Sequence, residues 1–319
     1  DGNMTTTEIK ALADALRANI AKVVVGKEDV VDKVLAALLA GGHVLLEDVP
    51  GTGKTLLSRA LAASMDGRFS RIQFTPDLLP ADVTGMAVFS PKSENFTFKP
   101  GPIFANIVLA DEINRATPRA QSAMLECMEE KQVSSDGTTY PLPAPFFVIA
   151  TQNPVETQGT FPLPEAQLDR FMVQLSMGYP TREEQTAILQ RFMQESPQES
   201  LRPVANAEQI AQAQKAVRSV RVAPELLDYI GALCEKTRAL DDALLGASPR
   251  AALALMRVSQ SLAAIRGRDY VTPEDIKTMT EPVLAHRLIL RTAYGRRGRA
   301  AEAVGEVLAS VPVPTETIE

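Results

Sequence analysis

HVLLEDVPGTGKT, residues 43–55, is the stretch that decides the fold. Its apolar start, residues 43–46, predicts a short buried strand, and the residues after it predict a helix over 55–63. Between them lies a glycine-containing turn that ends in Lys54 and Thr55. Glycines let a backbone curl so that successive N–H groups converge on an anion, and the helix directs the positive end of its dipole to the same point. Strand, turn and helix in this order therefore predict a phosphate-binding loop of the P-loop type.

The side chains of this turn predict a site for a nucleoside triphosphate with magnesium. Lys54 would neutralise the β- and γ-phosphates, and the Thr55 hydroxyl would be a ligand of Mg²⁺. Asp48 stands where the usual pattern has its first glycine, so this position needs another way to make the turn, such as aspartate in a left-handed conformation. A plain surface turn is the alternative, and the strand, the helix and the polar residues downstream count against it. The remaining predicted nucleotide-binding residues of the segment are Pro50, Gly51, Thr52, Gly53 and Leu56.

The first half of the chain alternates strands and helices. The predicted strands after the first are residues 71–74, 107–110 and 146–150, and the predicted helices are residues 9–20, 30–39, 55–63 and 119–131. Such alternation predicts an α/β fold, in which a parallel sheet is covered by helices on both faces.

Two segments interrupt this alternation, and the chain changes character after Pro180. Residues 87–98 and 132–140 carry turn residues between alternating runs, so both are predicted to be hairpins that project from the core. The predicted helices after Pro180 are residues 182–194, 208–217, 224–238, 250–266 and 273–285. We therefore predict two domains, an α/β core over 1–196 and an all-helical lid over 197–319, with a boundary near Ser196-Pro197.

Polar residues follow two of the predicted strands where those strands end. Asp111 and Glu112 follow the apolar run 107–110, and Asn153 follows the next core strand. In a parallel sheet, ligands bind outside the carboxyl ends of the strands. Asp111 would hold Mg²⁺, mostly through water, and Glu112 would polarise the water that attacks the γ-phosphate. Asn153 would donate amide protons to that phosphate or water; the alternatives are an Asx-turn for Asn153 and a solvated acidic turn for the carboxylates.

Two arginines are candidates to stabilise the charge that accumulates during phosphoryl transfer. Arg170 lies beyond the last predicted core strand, where it could face an adjacent subunit; the alternative is a surface salt bridge to Asp169 or Glu165. Arg250 lies in the first turn of a helix whose predicted N-cap is Ser248. A cation in this position opposes the helix dipole, so we interpret Arg250 as a lid arginine that binds the nucleotide.

Composition restricts the class of protein. The chain has 319 residues, of which 45% are hydrophobic and 23% charged, and a formal net charge of −6. These are values of a globular protein whose overall field repels nucleic acid and anionic membranes. The apolar runs fall far short of the roughly 20 residues that span a bilayer, and two cysteines and two histidines offer neither a disulfide framework nor a zinc cluster. We expect a soluble, cytoplasmic protein that binds no nucleic acid and inserts into no membrane.

Taken together, the motifs resemble those of the AAA+ ATPases and, within them, the MoxR family. The blocks that carry the resemblance are VPGTGKT (49–55), RIQFTPDLLP (71–80), DEINRA (111–116), ATQNP (150–154), LPEAQLDRF (163–171) and GASPR (246–250). The resemblance implies ATP and Mg²⁺ as cofactors and hexameric rings with ATP bound between subunits. It also implies Asn153 as sensor one, Arg170 as arginine finger and Arg250 as sensor two. Val25 and Gly26 remain available to contact adenine, although Lys27 stands where this family usually has glutamine.

MoxR-like proteins are thought to act as chaperones that mature or activate partner complexes, often with a protein that bears a von Willebrand factor A domain. The resemblance thus implies an ATP-hydrolysing chaperone or motor with a protein client. The alternative from another class is a nucleic-acid-remodelling ATPase of the helicase or clamp-loader type. Its support is the basic set His286, Arg287, Arg291, Arg296, Arg297 and Arg299, for which we favour a charged face on the lid. A non-hydrolysing nucleotide switch is disfavoured because Asp111 and Glu112 are both present.

Overall fold

The computed structural model describes residues 2–47, 53–153, 159–193, 201–291 and 298–315. Its strands, in chain order, are β1 (Val44–Glu47), β2 (Phe69–Gln73), β3 (Gly85–Ser90), β4 (Asn95–Pro100), β5 (Ile107–Asp111), β6 (Gln132–Ser135), β7 (Thr138–Pro141), β8 (Phe147–Gln152), β9 (Val173–Leu175), β10 (Ala243–Leu245) and β11 (Ile289–Leu290). Its helices are α1 (Thr6–Ile20), α2 (Glu28–Leu39), α3 (Lys54–Ser64), α4 (Pro80–Thr84), α5 (Pro118–Glu130), α6 (Glu165–Leu168), α7 (Arg182–Phe192), α8 (Ala207–Ala216), α9 (Pro224–Arg238), α10 (Pro249–Ile265), α11 (Pro273–Leu284) and α12 (Arg299–Ser310).

The core is a parallel sheet with the strand order β2-β5-β8-β1-β9. Val44 of β1 pairs with Ile149 of β8 on one side and with Val173 of β9 on the other. The central strands are almost completely buried, as expected where helices cover both faces of a parallel sheet. The predicted α/β core is confirmed, and β9 is an additional strand, only three residues long.

The helices that flank the sheet begin where local chemistry favours them. The Thr5 hydroxyl caps α1 by accepting a hydrogen bond from the Glu8 backbone N–H at 3.2 Å. Helix α3 begins at Lys54, directly after Gly53 in the left-handed conformation with φ 90°, which glycine adopts without strain. Both leading helices and α3 therefore lie where the sequence predicts them.

Both predicted hairpins are present. Strands β3 and β4 form one antiparallel pair, and β6 and β7 form the other. The rings of Phe98 on β4 and Tyr140 on β7 stack with their centroids 4.1 Å apart, so the two hairpins contact each other. On the β3–β4 hairpin, the Phe89 and Phe96 rings also contact each other and remain 51% and 72% exposed.

The lid consists of α8–α12, together with the antiparallel pair of β10 and β11. This strand pair and α12 were not predicted, and the expected boundary near Ser196-Pro197 lies outside the described residues. One apolar core joins the two parts of the chain: Ile9 of α1, Leu35 of α2 and Leu255 of α10 belong to the same buried cluster. Helix α10 packs against α1 and α2, and this packing decides where the arginines of the lid lie. Among the described residues, no helix is long and apolar enough to cross a membrane.

Candidate nucleotide site

Lys54 and Asp111 meet at the carboxyl edge of the sheet. Lys54 is the first residue of α3, and Asp111 is the last residue of β5. The Lys54 Nζ lies 3.8 Å from Oδ1 of Asp111, and the two side chains are only 12% and 10% exposed. The predicted loop residues Pro50, Gly51 and Thr52 lie outside the part of the chain that the structure describes.

The start of α3 is suited to bind an anion. Gly53 has no side chain with which to cap the helix, so the first N–H groups of α3 need another acceptor. A phosphate at this end would accept these hydrogen bonds and be attracted by the helix dipole and by Lys54. Thr55 and Leu56, the next two residues, are half-buried in the same turn.

Three elements hold the carboxylate of Asp111. Arg71 on β2 donates to Oδ2 at 2.5 Å, and the Thr151 hydroxyl on β8 donates to Oδ1 at 2.8 Å. Burial would raise the pKa of Asp111, but the hydrogen bonds from Arg71 and Thr151 and the charge of Lys54 outweigh it and lower the pKa below its ordinary 3.8. Asp111 is therefore ionised at neutral pH. The Asp111 carboxylate and the Thr55 hydroxyl offer the oxygen donors that Mg²⁺ prefers, so the chemistry of these residues fits that ion.

Glu112 adopts an unusual backbone conformation directly after β5. Its φ and ψ are both 54°, the left-handed region, which costs a non-glycine residue energy and is often found at functional sites. Its backbone N–H donates to the Thr151 hydroxyl oxygen at 2.9 Å. Its carboxylate accepts hydrogen bonds from Gln73 at 3.3 Å and from Arg115 at 3.4 Å. Asn153 follows β8 at this same edge of the sheet.

The segment around Val25 and Gly26 lies beside the start of α7. Lys27 forms an ion pair with Glu184 at 3.6 Å and donates to the Tyr179 carbonyl oxygen at 3.5 Å. The chain between β9 and α7 also approaches the phosphate loop, since a Cβ at Gly53 would lie 3.9 Å from the Met177 methyl. Residues 25–27 therefore lie next to the connection between β9 and α7, and this connection approaches the start of α3.

Arg170 and Arg250 come together in a separate cavity of about 440 Å³. Arg170 pairs with Glu129 at 3.3 Å, and not with Asp169 or Glu165, the partners that the alternative interpretation gave it. Arg250 lies 3.9 Å from Glu129 and 3.6 Å from Asp169. The cationic residues that line this cavity are Lys131, Arg170, Arg218, Arg250, Arg257 and Arg287.

This cavity lies at the opposite end of the strands from Lys54. Residues 40–43, which precede β1, and Met172, which precedes β9, both line it, so it is at the amino edge of the parallel sheet. Arg250, which we interpret as a lid arginine that binds the nucleotide, therefore lies at the other end of the sheet from the Lys54 of its own chain. The physical reason is that α10 packs against α1 and α2, which places its first turn beside the amino ends of the strands.

Comparisons with known proteins identify the family. The family model for the ATPase family associated with various cellular activities (AAA) matches residues 43–173, and the model for the AAA lid domain matches residues 235–307. Chaperone MoxR1 of Mycobacterium tuberculosis is 43% identical over 280 residues, which are 85% of this chain and 74% of that protein. This chain belongs to the MoxR family of AAA+ ATPases.

Two further relatives of this MoxR-family chain cover nearly all of it. The uncharacterized protein YeaC of Bacillus subtilis is 50% identical over 299 residues, 93% of each chain. A crystal structure of a Cytophaga hutchinsonii protein assigned as an ATPase has 39% identity and a TM-score of 0.90, and covers 97% of both chains. The resemblance inferred from the motifs is thus confirmed at the level of family and fold.

The structure of this MoxR-family chain adds site residues that sequence reasoning missed. Arg71 and Gln73 are two positions apart on β2, and each contacts one of the two carboxylates at the carboxyl edge of the sheet, Asp111 and Glu112. Two polar residues at alternate positions of a strand could have indicated contact with the carboxylates that follow β5. Using this signal requires knowledge that β2 lies beside β5, which the sequence does not give.

Among the described residues of the basic set in the MoxR-family lid, Arg287 and Arg299 do not belong to the charged face that we favoured. Arg287 is only 6% exposed and is bonded to residues 169–172, so it is available to neither solvent nor nucleic acid. Arg299 pairs within the lid with Asp242 and Glu306 at 3.0 Å. Arg291 is exposed, and Arg296 and Arg297 lie outside the described residues.

Proposed function

We propose that this chain hydrolyses ATP at the carboxyl edge of its sheet. The observation that carries the proposal is the pairing of Lys54 with Asp111 at the start of α3, because a magnesium-bound triphosphate requires a cation and a carboxylate there. Lys54 would bind the β- and γ-phosphates, while Thr55 and Asp111 would hold Mg²⁺, which supplies positive charge to the phosphates when bound. The other proposed nucleotide-binding residues are Pro50, Gly51, Thr52, Gly53 and Leu56 through the loop, and Val25 and Gly26 beside adenine.

Glu112 is the proposed base of the reaction. Its backbone is in the left-handed region directly after β5, and the hydrogen bonds from Gln73 and Arg115 hold its carboxylate. Glu112 would accept the proton of the attacking water, and Asn153 would orient that water or the γ-phosphate through its amide group.

The two arginines of the amino edge are proposed to act on the nucleotide of a neighbouring subunit. In one chain, Arg170 and Arg250 lie together and away from Lys54, so each site needs a second copy to complete it. A homo-hexameric ring, in which the amino edge of one subunit faces the carboxyl edge of the next, would bring them to the γ-phosphate. There they would stabilise the charge of the transition state, a contribution of about 10³ to 10⁵ in rate for an arginine finger.

The proposed purpose of turnover is to remodel or activate a protein client in the cytoplasm. The name of the relative Chaperone MoxR1 supports this purpose, and so do the exposed Phe89 and Phe96 on the β3–β4 hairpin, which could contact a client. A separate protein with a von Willebrand factor A domain is the partner that the family resemblance implies.

A test of the proposal mixes inactive variants. Lys54→Ala should abolish nucleotide binding, Glu112→Gln should keep binding and lose turnover, and Arg170→Ala and Arg250→Ala should each keep binding and lose turnover.

Mixed rings of Lys54→Ala with Arg170→Ala, or with Arg250→Ala, should regain turnover, because one subunit supplies the intact loop and the other the intact arginine. Rings of Arg170→Ala with Arg250→Ala should regain none if both residues act on the same junction. Normal ATPase activity of Arg170→Ala, or no recovery in stable mixed rings, would contradict catalysis between subunits.

A further inference from the structure

Arg287 of the lid holds the segment that carries Arg170. It ends the turn Ala285–Arg287 after α11 and is 6% exposed. Its Nε donates to the Asp169 carboxylate at 2.7 Å, and its Nη2 donates to the carbonyl oxygens of Asp169 and Phe171 at 3.2 and 3.1 Å. Its Nη1 donates to the carbonyl oxygens of Met172 and Val283 at 3.0 and 2.6 Å. All five N–H groups of the guanidinium are therefore used, which is the full capacity of an arginine.

Most of these hydrogen bonds end on residues 169–172, and only the bond to Val283 stays within the lid. His286 adds another contact to the segment, with its Nε2 at 2.8 Å from the Phe171 carbonyl oxygen. Burial lowers the pKa of Arg287, although the Asp169 carboxylate counteracts this effect. A buried charge is costly unless it is paired and hydrogen-bonded, so the fork of Arg287 and the carbonyl oxygens around it form one interdependent unit.

Arg287 and Arg250 also share one carboxylate of the core. Oδ1 of Asp169 accepts from Arg287, and Oδ2 of Asp169 lies 3.6 Å from Arg250. The residue next to Asp169 in sequence is Arg170. A displacement of the lid would therefore move the backbone on both sides of Arg170 together with Arg250.

We propose that Arg287 is a positioning residue that fixes Arg170 relative to the lid, so that the lid sets whether Arg170 can reach the neighbouring nucleotide. This inference rests on the proposed function, in which Arg170 acts between subunits. Lysine cannot replace arginine here, because an ammonium on a flexible stem lacks the planar fork of donors. A lysine would keep the charge beside Asp169 but remove the Arg287 donors of the Asp169 and Met172 carbonyl oxygens, and would leave the Phe171 carbonyl oxygen with His286 alone.

The test is Arg287→Lys in the full-length chain. We expect nucleotide affinity, measured with a fluorescent ATP analogue, to stay within about twofold of the parent, and kcat to fall by about ten- to a hundredfold because the arginine finger is misplaced. Mixed rings of Arg287→Lys with Lys54→Ala should regain turnover. Mixed rings of Arg287→Lys with Arg170→Ala should regain none, because both variants lack a correctly placed finger. The double variant Arg287→Lys/Arg170→Ala should turn over no more slowly than Arg170→Ala alone.

The matched control is Arg299→Lys, the same substitution at a half-buried lid arginine whose partners, Asp242 and Glu306, are in the lid. It should leave kcat unchanged. If Arg287→Lys does not assemble, Asp169→Asn keeps the side-chain shape, removes the shared carboxylate, and should show the same pattern in mixed rings. Parental kcat in Arg287→Lys, or lost turnover that Lys54→Ala does not restore, overturns the inference. If Arg170→Ala itself turns over normally, the proposed function fails instead.

Discussion

At the scale of single residues, His43 shows how burial fixes a protonation state. It lies directly before β1 and is 4% exposed. Its Nδ1 accepts a hydrogen bond from the Val148 N–H at 3.0 Å, and its Nε2 lies 3.2 Å from the Met128 carbonyl oxygen. The neutral ring with its proton on Nε2 satisfies both contacts, whereas a second proton on Nδ1 would face another donor. Burial accordingly lowers the pKa of His43 to about 4.

This arrangement predicts that mild acid destabilises the fold. Between pH 6.5 and 4 the unfolded chain binds a proton at His43 that the folded chain does not, so the stability that is present above pH 6.5 is lost as the pH falls. His286, whose pKa burial lowers to about 3, acts in the same direction. We expect the free energy of unfolding to fall by about 2 kcal/mol per histidine between pH 6.5 and 5. Urea denaturation across this range measures it, and His43→Gln should reduce the slope by about half if the two histidines contribute equally. A slope that does not change in this variant would count against the account.

The positions of the candidate site residues were predictable from sequence where the signal is local. Lys54, Asp111 and Glu112 belong to short motifs whose strand and helix context is visible in the chain. Arg71 and Thr151 reach Asp111 only because β2 and β8 are the neighbours of β5. The order of strands in a parallel sheet depends on how the crossover helices pack, so these contacts cannot be derived from spacing.

At the scale of elements, the base of the β3–β4 hairpin depends on a close approach of two backbone segments. Gly85 has φ +97°, and a Cβ there would lie against the Lys99 carbonyl oxygen and 2.6 Å from the Gly101 nitrogen. Neither of these backbone atoms can move without separating the first pair of the hairpin. Glycine is therefore required here both for its conformation and for its lack of a side chain.

Gly85→Ala should consequently cost more than a positive φ alone explains. We expect a loss of about 3 kcal/mol in the free energy of unfolding. The control is Gly137→Ala in the turn of the other hairpin, where φ is +78° and nothing lies within 4 Å of a Cβ, and we expect it to cost only about 1 kcal/mol. Denaturant unfolding of both variants gives the comparison. Equal losses would show that the steric contact at Gly85 relaxes freely.

The elements themselves were largely predictable because their periodicity is strong. Helices α9, α10 and α11 begin at Pro224, Pro249 and Pro273, a proline being well suited to the first turn of a helix. Strands β9, β10 and β11 are at most three residues long. A pattern of two or three residues cannot establish a period, so such strands exist through their neighbours and not through their own sequence.

At the scale of the whole molecule, core and lid share one hydrophobic interior. Leu255 on α10 is fully buried in the cluster that also contains Ile9 and Leu35 of the leading helices. The sequence separates two composition patterns and so predicts two domains. It carries no signal for the face of the core that the lid covers, so the position of Arg250 at the amino edge of the sheet could not be derived from it.

A shared interior predicts that the chain unfolds in one cooperative transition. Leu255→Ala should remove about 2–5 kcal/mol and lower the midpoint of the entire transition, in both core and lid. Leu253→Ala, on the same helix but 51% exposed, should change stability by about 0.5 kcal/mol or less. Calorimetry of the nucleotide-free chain tests this, and two separate transitions with only one shifted by Leu255→Ala would refute it.

The placement of Lys54 and Arg170 at opposite ends of the same strands would make the activity depend on the concentration of the protein. On the proposed function, an unassembled subunit can bind ATP but cannot hydrolyse it, because the arginines that complete each site belong to another subunit. The ATPase activity per subunit would then rise with protein concentration until assembly saturates, and would fall on dilution. A cell could silence such an ATPase simply by making too little of it.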